Sequence, residues 1–367
     1  MRFVIFAHSL VSDWNHGNAH FLRGIATELT CRGHHVEVHE PLDGWSRQNL
    51  LLEGGTQAIA DFEGVYPLAR GKYYDAKTFD PAHVLGDADI VIVHEWNSHN
   101  LVRRIGEHHS RHPHYRLFFH DTHHRSATDP SAMSAYDLQH YDGVLAYGNI
   151  IRDLYLRNGW ARRAWTWHEA ADTRVFHPMP EKEKAGDLVW IGNWGDEERT
   201  LELREFLIEP VRALKLKAKV YGVRYPQHAL DELRSAGIEY GGWLPNYLAP
   251  EVFAKYRVTV HVPRRPYASA LPGIPTIRPF EALACGVPLI SAPWSDCEHL
   301  FQPGKDYLRA RDGEQMAEQL RFILSESRPA RSAAQSLIAS GLECIHRRHT
   351  CVHRVNELLN LVSGEVN

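Results

Sequence analysis

The sequence predicts an α/β protein built from two Rossmann-like, doubly wound domains facing a central cleft. Three observations predict it. The first forty residues run strand, loop, helix, strand; the same rhythm restarts near residue 187 after a proline-containing stretch of mixed charge; and 367 residues exceed one ordinary core, at roughly 150 residues per domain. Right-handed crossovers make the strands of such units parallel. The expected layout is a first domain over 1–175, a linker over 176–186, a second domain over 187–345, and a closing helix over 346–367 that returns to the first domain.

The opening run RFVIFAH reads as a buried strand, SLVSDWNHGN as a polar loop, AHFLRGIATELTCRG as a helix and VEVHEP as the next strand. Phe21, Leu22, Ile25 and Leu29 share one face of that helix, and Gly33 stops it. Residues 41–86 show no sustained periodicity and are expected to be an irregular insertion with short helices. DADIVIVHEW, YRLFFH and GVLAY continue the first sheet, and NIIRDLYLRNG follows as a helix. In the second half LVWIG, AKVYG, a short strand near Glu239–Gly241, VTVHV and VPLIS alternate with helices near 197–214 and 226–236. That alternation implies a second open parallel sheet.

Composition narrows the function classes. Residues 1–180 carry 17 Lys and Arg against 21 Asp and Glu, and residues 181–367 carry 24 against 24. Neither half has the basic excess of a nucleic-acid binder, so a small-molecule partner is expected. The apolar run at the N-terminus stops at His8, short of a spanning helix or a secretory signal. Five cysteines without a CxxC pair fit a reducing cytoplasm better than a disulfide framework. Twenty-five histidines include the pairs His34/His35, His108/His109 and His123/His124, but no HExxH occurs, and no metal site is expected.

Ligands of open parallel sheets bind beyond the carboxyl ends of the strands. The most informative segment there is LPGIPTIRPFEALACGVPLIS, residues 271–291. Pro279 suits a first helical turn, and Gly286 suits a left-handed C-terminal cap before the next strand. Glu281, within one turn of the helix start, can accept two hydrogen bonds from a ribose diol, while Arg278 and the helix N-terminus can face a diphosphate. The plainer alternative is a glutamate that only complements the helix dipole.

PFEALACGVPLISAPW resembles the nucleotide-binding motif of retaining GT-B glycosyltransferases (glycosyl transferases group 1), in which a helix glutamate holds the donor ribose. HGNAHFLRGIATELTCRGHHVEV, WHEAADTRVFHP and RRHTCVHRVNELL resemble other segments of that family, and the last, with TIRPFEALACG, is similar to the spore-maturation (CgeB-like) branch. The resemblance implies a nucleoside diphosphate sugar, linked to UDP, GDP or dTDP, as co-substrate, with no cofactor and no metal. It implies Glu281 as a donor-binding residue, beside the Arg278 read above from the helix start. The family's first carboxylate, eight positions earlier, is replaced here by Gly273; backbone N–H groups around Gly273 and Ile274, close to Thr276, are the expected substitutes. Gly192 and Asn193 follow the first strand of the second domain on the donor side; an arginine and a lysine near the diphosphate are also implied there, for which this chain offers Arg199, Arg264 and Arg265, without a matching lysine.

Four further residues are expected on the acceptor or phosphate side: Gly17 and Asn18 before the first helix, and His94 and Trp96 at the end of the DADIVIVHEW run. His120 and Asp121, ending YRLFFHD, are the catalytic candidates; in similar enzymes a histidine here contacts the transferred hexose. The alternatives are a histidine bonded to backbone and an aspartate capping a turn. The expected function is transfer of a sugar to an unidentified acceptor, with retention. Epimerisation or hydrolysis of a sugar nucleotide, or binding without catalysis, stand as rivals.

Overall fold

The computed structural model describes residues 1–180, 182–195 and 197–364. Glu181 of the expected linker and 365–367 of the expected closing helix lie outside the described residues. The chain forms two compact units, one from Met1–Glu169 with the chain from Cys351 onward, the other from Ala170–Thr350.

The first unit is built on a seven-stranded sheet: β1 (Arg2–Phe6), β2 (His35–Pro41), β3 (Gly71–Tyr74), β4 (Ile90–His94), β5 (Arg116–Asp121), β6 (Gly143–Ala146) and β7 (Ala164–Thr166). The order is β3-β2-β1-β4-β5-β6-β7, with every pairing parallel. Helices cover both faces, so the central strands are apolar throughout: Phe3–Phe6, Ile90–Val93 and Leu117–Phe119 are all buried. The Cys351–Ser363 helix packs on the Ala19–Cys31 helix. Arg32 donates to Asn356 Oδ1 at 2.7 Å, and Trp167 Nε1 donates to the Arg354 carbonyl at 2.9 Å.

The second unit holds six parallel strands, β8 (Gly186–Ile191), β9 (Ala218–Tyr221), β10 (Ile238–Tyr240), β11 (Tyr256–His261), β12 (Leu289–Ser291) and β13 (Leu308–Arg309), in the order β10-β9-β8-β11-β12-β13. Leu188, Trp190, Val220, Val258, Val260 and Ile290 form the centre of its core. A 21-residue helix, Arg328–Arg348, is capped by Ser327, whose hydroxyl accepts from the Ala330 N–H.

Two expectations are corrected. The 41–86 insertion contains short helices, Trp45–Gly54, Gln57–Val65 and Pro81–Leu85, but also the edge strand β3, whose four residues are too few and too exposed to show a period. The helix expected near 197–214 is continuous only in direction: a turn over Thr200–Leu203 passes through π-helical Arg204–Ile208 into Glu209–Leu214. Pro210, which has no N–H to give the preceding turn, sits where the ladder shifts.

Candidate functional site

Both sheets reverse strand order at one point, between β1 and β4 in the first unit and between β8 and β11 in the second. Loops leaving the carboxyl ends of those strands diverge there and leave a crevice.

In the second unit Arg199 laces the crevice. Its Nε donates to the Asn193 carbonyl at 3.0 Å and its Nη1 to the Val262 carbonyl at 3.1 Å, so one guanidinium joins the loops after β8 and β11. It lies 5.0 Å from the Trp190 ring centroid. Burial first, then the charges of Arg264 and Arg278, push its pKa down to about 9. Arg264 and Arg278 thus lie within electrostatic range of Arg199, with Arg278 itself ion-paired with Glu281. Such a cluster is relieved by an anion. Arg264 is partly balanced by Glu198 at 3.2 Å. Arg265 is not brought in: its guanidinium pairs with Glu202 at 2.8 Å on the exposed face.

The Ile277–Ala284 helix begins beside this cluster. Thr276 precedes it with φ 63° and ψ 179°, a conformation that a threonine holds only where its surroundings impose it. Pro279 occupies the first turn. The helix ends as a Schellman motif, with the Val287 N–H on the Ala282 carbonyl, the Gly286 N–H on the Leu283 carbonyl, and Gly286 at φ +65°. Glu281 is fully buried. Arg278 donates to its Oε2, and Asn246 Nδ2 donates to its Oε1 at 2.7 Å. A buried carboxylate stands only when paired and hydrogen-bonded in this way. A carboxylate oxygen can accept from more than one donor.

Asn246 opens a 3₁₀ turn after β10 and was not expected at the site; it is separated in sequence from any motif. His261, at the end of β11, was also missed. Its Nδ1 meets Ser291 Oγ at 2.8 Å, and burial, then Arg199 and Arg278, hold it neutral with a pKa near about 3. A histidine closing an apolar strand was the available signal. Asn193 is structural in its side chain, accepting the Val223 N–H at 2.9 Å, and Gly192 lies where a Cβ would meet the Trp190 ring at 2.7 Å.

Gly273 has φ +95°, and a Cβ there would lie 2.5 Å from Cγ of Glu298. The side chain of Glu298 thus rests against the one position that lacks one. The Gly273 N–H donates to the Ser295 carbonyl at 2.6 Å and the Ile274 N–H to the Leu271 carbonyl at 3.3 Å. Both groups, expected at the donor, are engaged inside the protein here.

In the first unit a fully buried arginine organises the loop after β1. Arg23 donates to the Leu10 and Val11 carbonyls at 2.9 and 2.7 Å and pairs with Asp13 at 2.9 Å. Half-buried His8 stands above, its ring 5.2 Å from His16 and 6.1 Å from Trp96. Gly17 and Asn18 follow at the start of the Ala19–Cys31 helix.

Across the crevice His94 Nε2 and His120 Nδ1 are 2.9 Å apart, and His94 Nδ1 is 3.2 Å from Glu95 Oε2. His94 Nδ1 and Glu95 Oε2 approach each other without hydrogen-bond geometry, so the one bond that links the two rings is Nε2 of His94 to Nδ1 of His120. His120 Nε2, the other ring nitrogen, is buried without a partner among the described residues. Burial, with His94 second, holds His120 well below the usual imidazole range. Asp121 is fully buried; it accepts from Tyr155 Oη at 3.0 Å and from the His123 N–H at 3.1 Å. Burial, then Glu95, raises its carboxyl to about 7.

Among the described residues no group of three or more His, Cys, Asp or Glu is placed to hold a metal ion, none of the cysteines is in a disulfide, and no helix is long and apolar enough to cross a membrane.

Two parallel sheets of this order, each with a polar collar at its switch point and the last helix returned to the first unit, define the GT-B class of fold. Residues 199–360 match the family described as glycosyl transferase-like. The chain is similar to sucrose-phosphate synthase of Thermosynechococcus elongatus, at 13% identity and a TM-score of 0.65 over 100% of this chain and 99% of that one. It is similar to HepE of Anabaena in complex with UDP and glucose, at 13% identity and a TM-score of 0.69 over 99% and 100%. The phage T4 protein BGT with UDP and Mn²⁺ is similar at 10% identity and a TM-score of 0.61 over 99% of each chain. None of the curated proteins matches the sequence.

Proposed function

We propose that the protein is a glycosyltransferase that moves a hexosyl group from a nucleoside diphosphate sugar to a hydroxyl of a small-molecule acceptor. One observation carries this reading: a fully buried, doubly held carboxylate, Glu281, at the start of a helix beside the charges of Arg199, Arg264 and Arg278. A ribose diol donates to the carboxylate, and the diphosphate lies against the arginines and the helix N-terminus. UDP comes before GDP and dTDP as the carrier, because similar structures hold UDP.

The donor belongs to the second unit and the acceptor to the first, where His120 Nε2 meets a sugar hydroxyl and His94 holds the ring through Nδ1. Asp121 orders the turn behind it. Leaving-group charge is balanced by the arginines without a metal or other cofactor. Retention, a place near the CgeB-like branch, and a cytoplasmic location complete the reading. The first two rest on TIRPFEALACG and RRHTCVHRVNELL, the third on cysteines without disulfides.

The test is product analysis by mass spectrometry with UDP-glucose, UDP-galactose and UDP-N-acetylglucosamine, with and without a saccharide mixture, and with and without a chelator. A glycosylated product formed only with acceptor supports the reading. Free sugar or an epimer regardless of acceptor indicates a hydrolase or epimerase, and tight binding without turnover a sugar-nucleotide-binding protein; either contradicts it.

A further inference from the structure

The crevice of the first unit contains more than the histidine pair. Trp45 and Trp96 are 43% and 42% exposed, and the His8 ring lies between them, 6.3 Å from one and 6.1 Å from the other. Neither indole is loose. Trp45 meets Trp14 edge-on at 5.0 Å, and the adjacent Ser46 hydroxyl donates to the Trp14 carbonyl at 2.7 Å. Trp96 carries the Arg125 guanidinium 4.3 Å from its ring centroid and His123 edge-on at 4.9 Å.

A second observation is independent of the aromatics. Asn18 stands at the N-cap of a 13-residue helix yet makes no capping bond, and both its amide atoms are buried without a partner among the described residues. His16 Nε2 is in the same state. Asparagine is among the best N-caps, so one that leaves its amide unused forgoes the capping bond and carries a desolvation penalty besides. A ligand removes that penalty.

We infer that this collar is a saccharide subsite, with Trp45 and Trp96 stacking on the C–H faces of a pyranose acceptor and His8, His16 and Asn18 taking its hydroxyls. The inference deepens the transferase reading and rests on it. Rigid, half-exposed indoles suit a ring with an apolar face, and an amide with both donor and acceptor vacant suits hydroxyls that do both. Burial keeps His8 neutral, with a pKa lowered to about 4, so its ring retains a lone pair for a hydroxyl hydrogen. A lipid chain would leave Asn18 and His16 unsatisfied. A polynucleotide requires a basic surface, whereas residues 1–180 are net acidic.

The experiment is saturation-transfer difference NMR without donor, using methyl β-glucoside, methyl α-mannoside, N-acetylglucosamine, maltose and cellobiose on the wild type and on Trp45→Ala, Trp96→Ala and Asn18→Ala. Trp45→Phe and Trp96→Phe serve as conservative variants, with circular dichroism as the check on folding. Expected are transfer to at least one saccharide, a drop in its affinity of about tenfold or more in each tryptophan-to-alanine variant, and substantial retention in the phenylalanine variants. UDP titration of the same variants keeps the two readings apart. Normal UDP binding with no saccharide signal, or with a signal that survives both alanine substitutions, overturns the subsite alone. Preferential binding of uridine or a short DNA duplex at the tryptophans overturns it as well. A saccharide signal that behaves as expected while the wild type fails to bind any UDP sugar leaves the subsite standing and removes the transferase reading.

Discussion

Asn246 Nδ2 donates to Oε1 of Glu281 at 2.7 Å, so a carboxylate with no exposure to water is held from outside its own helix by a side chain 35 residues away. Removing that donor leaves the oxygen with one fewer partner in a place where water does not replace it. Asn246→Ala is expected to lower unfolding free energy by about 1–3 kcal/mol in urea or guanidinium titrations. Asn246→Asp, which sets two carboxylates against each other, is expected to cost more.

Gly273 is constrained twice, by φ +95° and by Glu298. Gly273→Ala is expected to destabilise by about 1–3 kcal/mol. Adding Glu298→Ala clears the steric contact but not the backbone strain, so the double variant recovers part of the loss. Recovery of none of it would show that the Glu298 side chain does not press on this position.

The three sequence-predicted arginines after β8 and β11 separate into different roles. Arg199→Met cuts the bridge between the Asn193 and Val262 carbonyls and is expected to lower both thermal stability and UDP affinity. Arg265→Ala breaks only an exposed pair with Glu202 and is expected to leave both within error. Thermal shift with and without UDP distinguishes them.

The Asp121 carboxyl has a folded-state pKa raised to about 7, above its unfolded value. Its contribution to stability is complete below the unfolded pKa near 4 and is lost as pH rises through about 7. Asp121→Asn removes the ionisation. Stability measured at pH 5 and pH 8 is expected to fall in the wild type relative to the variant, and parallel pH profiles would contradict the assignment.

The fold was legible because its signals are local. Strand runs such as IVIVH, the Gly33 stop and the Pro279–Gly286 brackets around one helix are each read within a dozen residues. Glu281 stood out for the same reason. What escaped the sequence comes from chain brought together only by folding: Asn246 on a 3₁₀ turn, Glu298 against Gly273, and Trp45, His8 and His16 around one crevice. β3 escaped because an exposed four-residue edge strand has no period to read. Arg265 looked as well placed as Arg264, and only the position of Glu202 on a neighbouring helix separates them.

The central claim is that Glu281 holds the ribose of a nucleotide. Calorimetric titration of UDP into the wild type and Glu281→Ala tests it most directly. Hydrogen bonds to a charged group contribute about 1.5–3 kcal/mol, so the account predicts an affinity loss of roughly 10- to 100-fold in a variant whose circular dichroism is unchanged. Equal affinity in the two proteins, within about twofold, would contradict it.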